Sequence, residues 1–227
     1  VVIILGGIGT DERAALLVPD SLPVGVLAVS WPWKDTRRMG RLEFLARVPA
    51  MREALLRTPA CIATGLEAVR RASPGARVAL LGASLGVPPT TAAAAIARPD
   101  AMVLVDGAAD LERLLRSEVA RTVGGAGGAV LAPPVASLGA RLLSSLEPAR
   151  HGAAAREMPV LLIDAEREER YPRACVERLH ATFPHANHAT HPGAHLRPEH
   201  RDEIEAIIEA TWRWLSALPD SGPAPVR

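Results

Sequence analysis

Cysteine is scarce. Cys61 and Cys175 are the only two, they lie far apart in the chain, and such a pair does not make a disulfide framework. No Cys/His spacing resembles a structural zinc motif, so no metal is expected. Lysine is scarcer still: Lys34 is the only one among 26 basic residues, an imbalance that reads as genomic composition. Charges nearly cancel at a formal net of +1, which argues against nucleic acid or a membrane surface as partner. No apolar stretch approaches a membrane span. The opening Val1-Val2-Ile3-Ile4-Leu5 shows neither a charged leader nor a cleavage site, so no signal peptide is read. It begins inside an apolar run, as a trimmed or processed chain would, and the compartment stays open with the cytoplasm slightly favoured.

What is present is ordinary globular composition, 48% apolar and 22% charged over 227 residues. That is enough for one domain with a substantial core. Apolar runs without alternation occur at residues 1–5, 24–29, 77–81, 101–105 and 158–163. Strands of this kind are buried on both faces, as in a parallel sheet. A sixth, weaker strand is expected near 187–191, followed by a turn at Pro192-Gly193-Ala194-His195. Between the runs lie helical patterns. Thr58-Pro59 reads as a helix start, with Ile62, Leu66 and Val69 on the buried face as far as Ala72. Residues 34–50 read as a loop with a short helix. Helices are also expected at about 172–183 and 198–218, the second carrying Ile204, Ile207, Ile208 and Trp212 at helical spacing. Strands alternating with helices predict an α/β fold, a doubly wound and mostly parallel sheet of about six strands. Residues 108–157 contain no strand and read as a helical lid, with Gly124-Gly125-Ala126-Gly127-Gly128 between two amphipathic helices. One domain is expected over 1–218 and a flexible tail over 219–227.

The chemistry is suggested by Gly82-Ala83-Ser84-Leu85-Gly86, between a strand and a small-residue helix. Chance alone yields such a triplet in roughly one chain in ten with this many glycines, so the pattern gains weight only from its setting. A serine at a strand-to-helix turn sits in a strained conformation that exposes its hydroxyl, and flanking glycines remove side chains that would collide there. The following helix aims free N–H groups at the same point. The bland alternative is a connection in which serine is merely small.

A serine hydroxyl needs a base, and an imidazole base needs a carboxylate to fix its tautomer. Of the seven histidines, His195 lies on a glycine turn after the last strand, where it can reach back over the sheet edge. His185, His188, His191 and His200 read as solvated, His180 as helical and His151 as part of the lid. The acid is open between Asp106 and the run Asp164-Ala165-Glu166-Arg167-Glu168-Glu169-Arg170; the chain order serine, acid, histidine favours the later loop. The amide of Leu85 is one donor for an oxyanion. Trp31, Trp33 and Met39 follow the second strand, as pocket lining or as packing.

Three motifs carry a resemblance that extends over residues 1–218: Leu5-Gly6-Gly7-Ile8-Gly9, Gly82-Ala83-Ser84-Leu85-Gly86, and Pro159-Val160-Leu161-Leu162-Ile163 with Glu168-Glu169-Arg170-Tyr171-Pro172 leading to His195. Together they resemble the α/β-hydrolases, particularly small serine esterases similar to dienelactone hydrolases and to the prolyl-oligopeptidase catalytic domain. The resemblance implies Glu168 as the triad acid, a glutamate where relatives usually carry aspartate. It places the second oxyanion donor at Ile8, with Gly7 permitting the approach. Gly6 stands where relatives often have histidine, Val87 where they often have a third glycine, and two early strands are missing. The expectation is a serine hydrolase of small or medium carboxylic esters acting through Ser84, His195 and Glu168, with Gly7, Trp31 and Trp33 near the substrate. No metal or organic cofactor is called for. A peptidase or thioesterase with the same triad, and a non-catalytic binding module on the same scaffold, are the rivals.

Overall fold

Apolar runs that do not alternate can be hidden only by covering both faces of a sheet. The computed structural model, which describes residues 1–7, 11–31, 41–197 and 199–219, does so with six strands in one sheet. They are β1 (Val2–Leu5), β2 (Val26–Ala28), β3 (Ala79–Ala83), β4 (Ala101–Val105), β5 (Val160–Arg167) and β6 (Asn187–Ala194). Every neighbouring pair is parallel, in the spatial order β2-β1-β3-β4-β5-β6. The predicted doubly wound parallel sheet is therefore present.

The two-residue period of a strand divides the core. Ile3, Leu5, Leu80, Met102, Leu104 and Leu162 face α1 (Arg41–Ala72), α2 (Val87–Ala97) and α5 (Arg173–Thr182), where Leu66, Val87, Leu179 and Phe183 complete the layer. Val103, Val105, Leu161 and Ile163 face the other way, onto Ile207 of α6 (Arg201–Ala217). Ala14, from the 3₁₀ segment Asp11–Leu17, closes that side over Val2 and Ile4.

Two local expectations are corrected. Thr58-Pro59 does not start a helix: α1 runs from Arg41 to Ala72 with Pro49 and Pro59 inside it. Pro59 cannot donate to the preceding turn, and the Thr58 hydroxyl donates to the carbonyl of Ala54 at 2.9 Å. Leu55 and Leu56 upstream pack against a cluster formed by Ala92, Leu111 and Leu146, and that burial carries the helix through the local start signal. At the other end of the chain, Pro192, Gly193 and Ala194 are not a turn. They extend β6, which pairs with β5 across a bulge between Ala165 and Arg167.

Between β4 and β5 come α3 (Leu111–Val123), α4 (Gly125–Leu142) and three short 3₁₀ turns. The Glu147 carboxylate accepts the N–H groups of Asp110 and Leu111 at 2.9 and 2.7 Å, and Asp110 accepts that of Arg113. These bonds satisfy the first donors of α3. Gly124 and Gly125, both at positive φ, make the turn into α4, which contains the rest of the expected glycine separator.

Candidate active site

In a doubly wound sheet the crevice opens where successive connections leave in opposite directions, at the carboxyl ends of the strands. Here that point lies between β1 and β3. The chain leaves β1 through Gly6-Gly7 and leaves β3 into Ser84. Ser84 has φ 52°, a left-handed conformation that costs a non-glycine residue about 1–3 kcal/mol. Packing enforces it. A Cβ on Gly82 would lie 2.6 Å from Thr90 Oγ1, and one on Gly86 would lie 2.2 Å from the carbonyl oxygen of Leu5. The 3₁₀ turn Ser84–Gly86 then runs directly into α2.

The ends of β5 and β6 supply two further groups. Ser84 Oγ lies 2.8 Å from His195 Nε2, and His195 Nδ1 lies 2.8 Å from Glu168 Oε2. A carboxylate can only accept, so Nδ1 carries the imidazole proton. Nε2 is then the acceptor, and the Ser84 hydroxyl donates to it. The other oxygen, Glu168 Oε1, accepts the backbone N–H groups of Arg170 and Tyr171 at 2.6 and 2.9 Å. Burial by itself would raise the Glu168 carboxyl; the His195 hydrogen bond, the two amides and the attraction of the imidazole outweigh it and hold the group below its usual range. The His195 and Glu168 side chains are only 6% and 14% exposed, so solvent does little to screen their contact.

Tyr171, the single tyrosine of the chain, belongs to the third of the motifs that carry the resemblance, and the sequence assigns it no role. Its hydroxyl lies 3.1 Å from Ser84 Oγ, and its ring meets the His195 imidazole edge to face, 4.9 Å between centroids. Because Ser84 donates to His195, the phenol is the donor to Ser84. Burial, against the effect of that hydrogen bond, raises the phenol above its usual range and keeps it protonated near neutrality. The only hint in the sequence is its place just before Pro172, where α5 is capped.

Asp106, the other candidate acid, is bound elsewhere. At φ 45° it ends β4 and accepts the N–H of Leu196 at 2.7 Å. His191 Nε2 sits 3.0 and 3.2 Å from its two oxygens. Both side chains are fully buried, so His191, expected to be solvated, is instead in the interior. Its place on the extended β6 opposite Ala165 turns it inward. The hydrogen bond to Asp106 raises His191 above its ordinary value, although burial opposes this.

Leu85 follows Ser84 at the start of a helical segment, where backbone donors have no helical acceptor. A Cβ on Gly7 would lie 3.4 Å from Ser84 Cβ, so Gly7 borders the serine. Trp31 packs in the core at 6% exposure, and its indole N–H is shared between the carbonyls of Gly6 and Gly7 at 3.0 and 3.2 Å. It braces the turn from behind, as the packing alternative for this residue has it. Ile8, Trp33 and Met39 lie outside the described residues. Above Ser84 and His195 opens a mainly apolar cavity of about 1390 Å³. Leu111 and Leu114 of α3, Leu17 and Val18, and Ile207 and Ile208 of α6 line it, while Glu118, Arg121, Arg170 and Arg197 bring charge.

Among the described residues two clusters have metal-donor spacing: Asp106, Glu168 and His195, and separately Asp164, His180 and His188. In the first, the hydrogen bonds just described already engage the donor groups.

A parallel sheet with this serine-bearing turn at its switch point defines the α/β-hydrolase fold. No protein-family model matches the sequence, and no curated protein does. Solved structures align over nearly the whole chain. TT1662 from Thermus thermophilus is 20% identical with a TM-score of 0.57, covering 96% of this chain and 89% of that one. The Pyrococcus furiosus esterase Pf2001 is 14% identical with a TM-score of 0.59, covering 95% and 81%. A thioesterase domain from the curacin biosynthetic pathway is 13% identical with a TM-score of 0.51, covering 95% and 90%. At these identities the likeness is one of fold.

Proposed function

We propose that this protein is a serine hydrolase that cleaves small to medium carboxylic esters by acyl transfer. The observation that carries the reading is the unbroken hydrogen-bond chain Ser84–His195–Glu168 at the floor of an apolar cavity. Ser84 Oγ attacks the ester carbonyl carbon as its proton passes to His195 Nε2. Glu168, held as a carboxylate, stabilises the imidazolium so formed. Charge on the former carbonyl oxygen is met by the amide of Leu85 and, following the resemblance, by that of Ile8. The C–O bond to the alcohol then breaks, and His195 returns the proton to the leaving oxygen. Water repeats the sequence on the acyl-serine and releases the acid. Tyr171 donates to Ser84 Oγ in the free enzyme and positions that oxygen for attack.

The test is hydrolysis of p-nitrophenyl esters together with labelling by a fluorophosphonate. The wild type is expected to turn over and to be labelled once. Ser84→Ala is expected to lose both without losing its melting transition. Labelling with no ester turnover, but with turnover of an acyl thioester, would redirect the substrate class. Absence of labelling would leave a binding module on a hydrolase scaffold.

A further inference from the structure

We propose that Asp164, His180 and His188 form a binding site for a divalent transition-metal ion of the zinc type, away from the esterase chemistry. The three donors come from three elements. β5 supplies Asp164, β6 supplies His188 and α5 supplies His180. Parallel pairing sets Leu162 opposite His188, and a strand repeats its facing every second residue. Leu162, Asp164 and His188 therefore share one face, the one on which Leu162 packs against Leu179 of α5. His180 is the next residue along that helix. Its Nε2 lies 2.8 Å from Asp164 Oδ2, its ring stands 4.6 Å from that of His188 between centroids, and one ligand atom from each residue lies within 4.8 Å of the others.

The donor chemistry selects the ion. Two neutral imidazoles and one carboxylate suit zinc, copper or cobalt, whereas calcium and magnesium call for an all-oxygen shell. Bonds of about 2.0–2.1 Å in a tetrahedral shell place donors about 3.3 Å apart. Binding therefore needs Asp164 and His180 to part by roughly half an ångström and the His188 ring to swing inward. His188 is exposed, and among the described residues no hydrogen bond fixes its ring. The solvent side leaves room for water as the fourth ligand. Because the donors belong to separate elements, no short Cys/His spacing announces them in the sequence. A bound ion would pin the edge strand β6 to β5 and α5, on the strands that deliver His195 and Glu168.

The test is calorimetric titration of the metal-free full chain with Zn²⁺, repeated with Co²⁺ while following visible absorption. One equivalent is expected, with a rise in melting temperature and the ligand-field bands of four-coordinate cobalt. Affinity should fall at least about tenfold in His188→Ala and in Asp164→Asn. It should be unchanged in Ser84→Ala and His195→Ala, which separates this site from the proposed triad and its neighbouring Asp106. Metal-free melting of each variant checks that it folds, and His188→Gln serves where the alanine does not. Saturable binding that survives the loss of His188 or Asp164, binding abolished by His195→Ala, or no saturable binding at all would overturn the proposal.

Discussion

Glu168 and Asp106 are both carboxylates at strand ends beside the same histidine, yet their hydrogen bonds give them different work. Glu168 faces His195 Nδ1 directly, whereas Asp106 is taken up by His191 and the Leu196 amide. Glu168→Gln is therefore expected to lower kcat by about 10³–10⁴-fold, because an amide can hold the wrong imidazole tautomer. Asp106→Asn should act first on folding, removing about 3 kcal/mol by replacing the buried carboxylate that faces His191 with a neutral amide, with the smaller effect on kcat. Steady-state kinetics and urea midpoints on both variants decide this, and a larger kcat loss in Asp106→Asn would reverse the assignment. The pH dependence separates them further. The Glu168 carboxyl is lowered from its ordinary 4.5, so its contribution to stability is present above that value and is lost as pH falls through the lower folded one. The gap in urea midpoint between wild type and Glu168→Gln should close on acidification. His191 is raised, so the stability that its pair with Asp106 contributes is full below about pH 6.5. It is lost as pH rises through the folded value, and the gap to Asp106→Asn should narrow at high pH. Tyr171→Phe removes one neutral donor to Ser84 and keeps the ring against His195. It should lower kcat/KM roughly tenfold, equivalent to about 1.4 kcal/mol, with little change in melting temperature.

Elements act here mainly by aiming these residues. β6 carries His195 to the serine, and Gly193, two residues earlier, has φ 122° with a hypothetical Cβ 2.3 Å from Glu203 Oε1 at the start of α6. Gly75 is also at positive φ, but nothing lies within 4 Å of a Cβ there. Both Gly→Ala changes should cost about 1–3 kcal/mol in backbone strain. At Gly193 the Glu203 carboxylate can swing aside, so it is the φ of 122° in the strand leading to His195 that should shift the strand end and lower kcat about 10²-fold in Gly193→Ala alone; melting and ester turnover on the pair test this. The same strand shows why local reading stopped short. Asn187-His188-Ala189-Thr190 is poor in branched residues, and Pro192-Gly193 reads as a turn, yet pairing with β5 keeps all eight residues in the strand. Helix α1 shows the converse, where Thr58-Pro59 looks like a beginning and burial of Leu55 and Leu56 carries the helix through it. The first glycine of the serine turn was legible because its constraint is local, Gly82 folding against Thr90 eight residues on, whereas Gly86 is pressed by Leu5 of β1, far away in the chain. Tyr171 was not legible, since nothing in its neighbourhood along the sequence refers to Ser84, 87 residues away.

At the scale of the molecule, sheet order places the mouth of the cavity between β1 and β3, with α3 and α6 supplying apolar walls on either side. Across it Arg170 pairs with Glu118 at 3.5 Å and Arg197 with Glu169 at 2.9 Å. Such partly exposed pairs contribute little to stability and leave apolar area as the main source of substrate affinity. Ile208 lies on that wall and outside the main core clusters. Ile208→Trp should therefore lower kcat/KM for an octanoyl p-nitrophenyl ester relative to the acetyl ester by roughly tenfold or more, as pocket volume sets discrimination between chain lengths. An unchanged ratio would place the acyl group against the opposite wall, under α3.

By itself the sequence determined the fold class and the turn around Ser84, because both follow from short-range rules. Continuous apolar runs demand a sheet covered on both faces, and a serine between small residues at a strand end can be folded in few ways. It pointed to His195 as the base and, through the chain order and the resemblance, to Glu168 as the acid, with Asp106 left as the alternative. The partners that take up Asp106, the burial of His191, the approach of Tyr171 and the gathering of Asp164, His180 and His188 belong to tertiary structure alone. They depend on which strands lie side by side and on how far β6 extends, and that was settled by packing against β5 and α6, not by the preferences of the residues themselves.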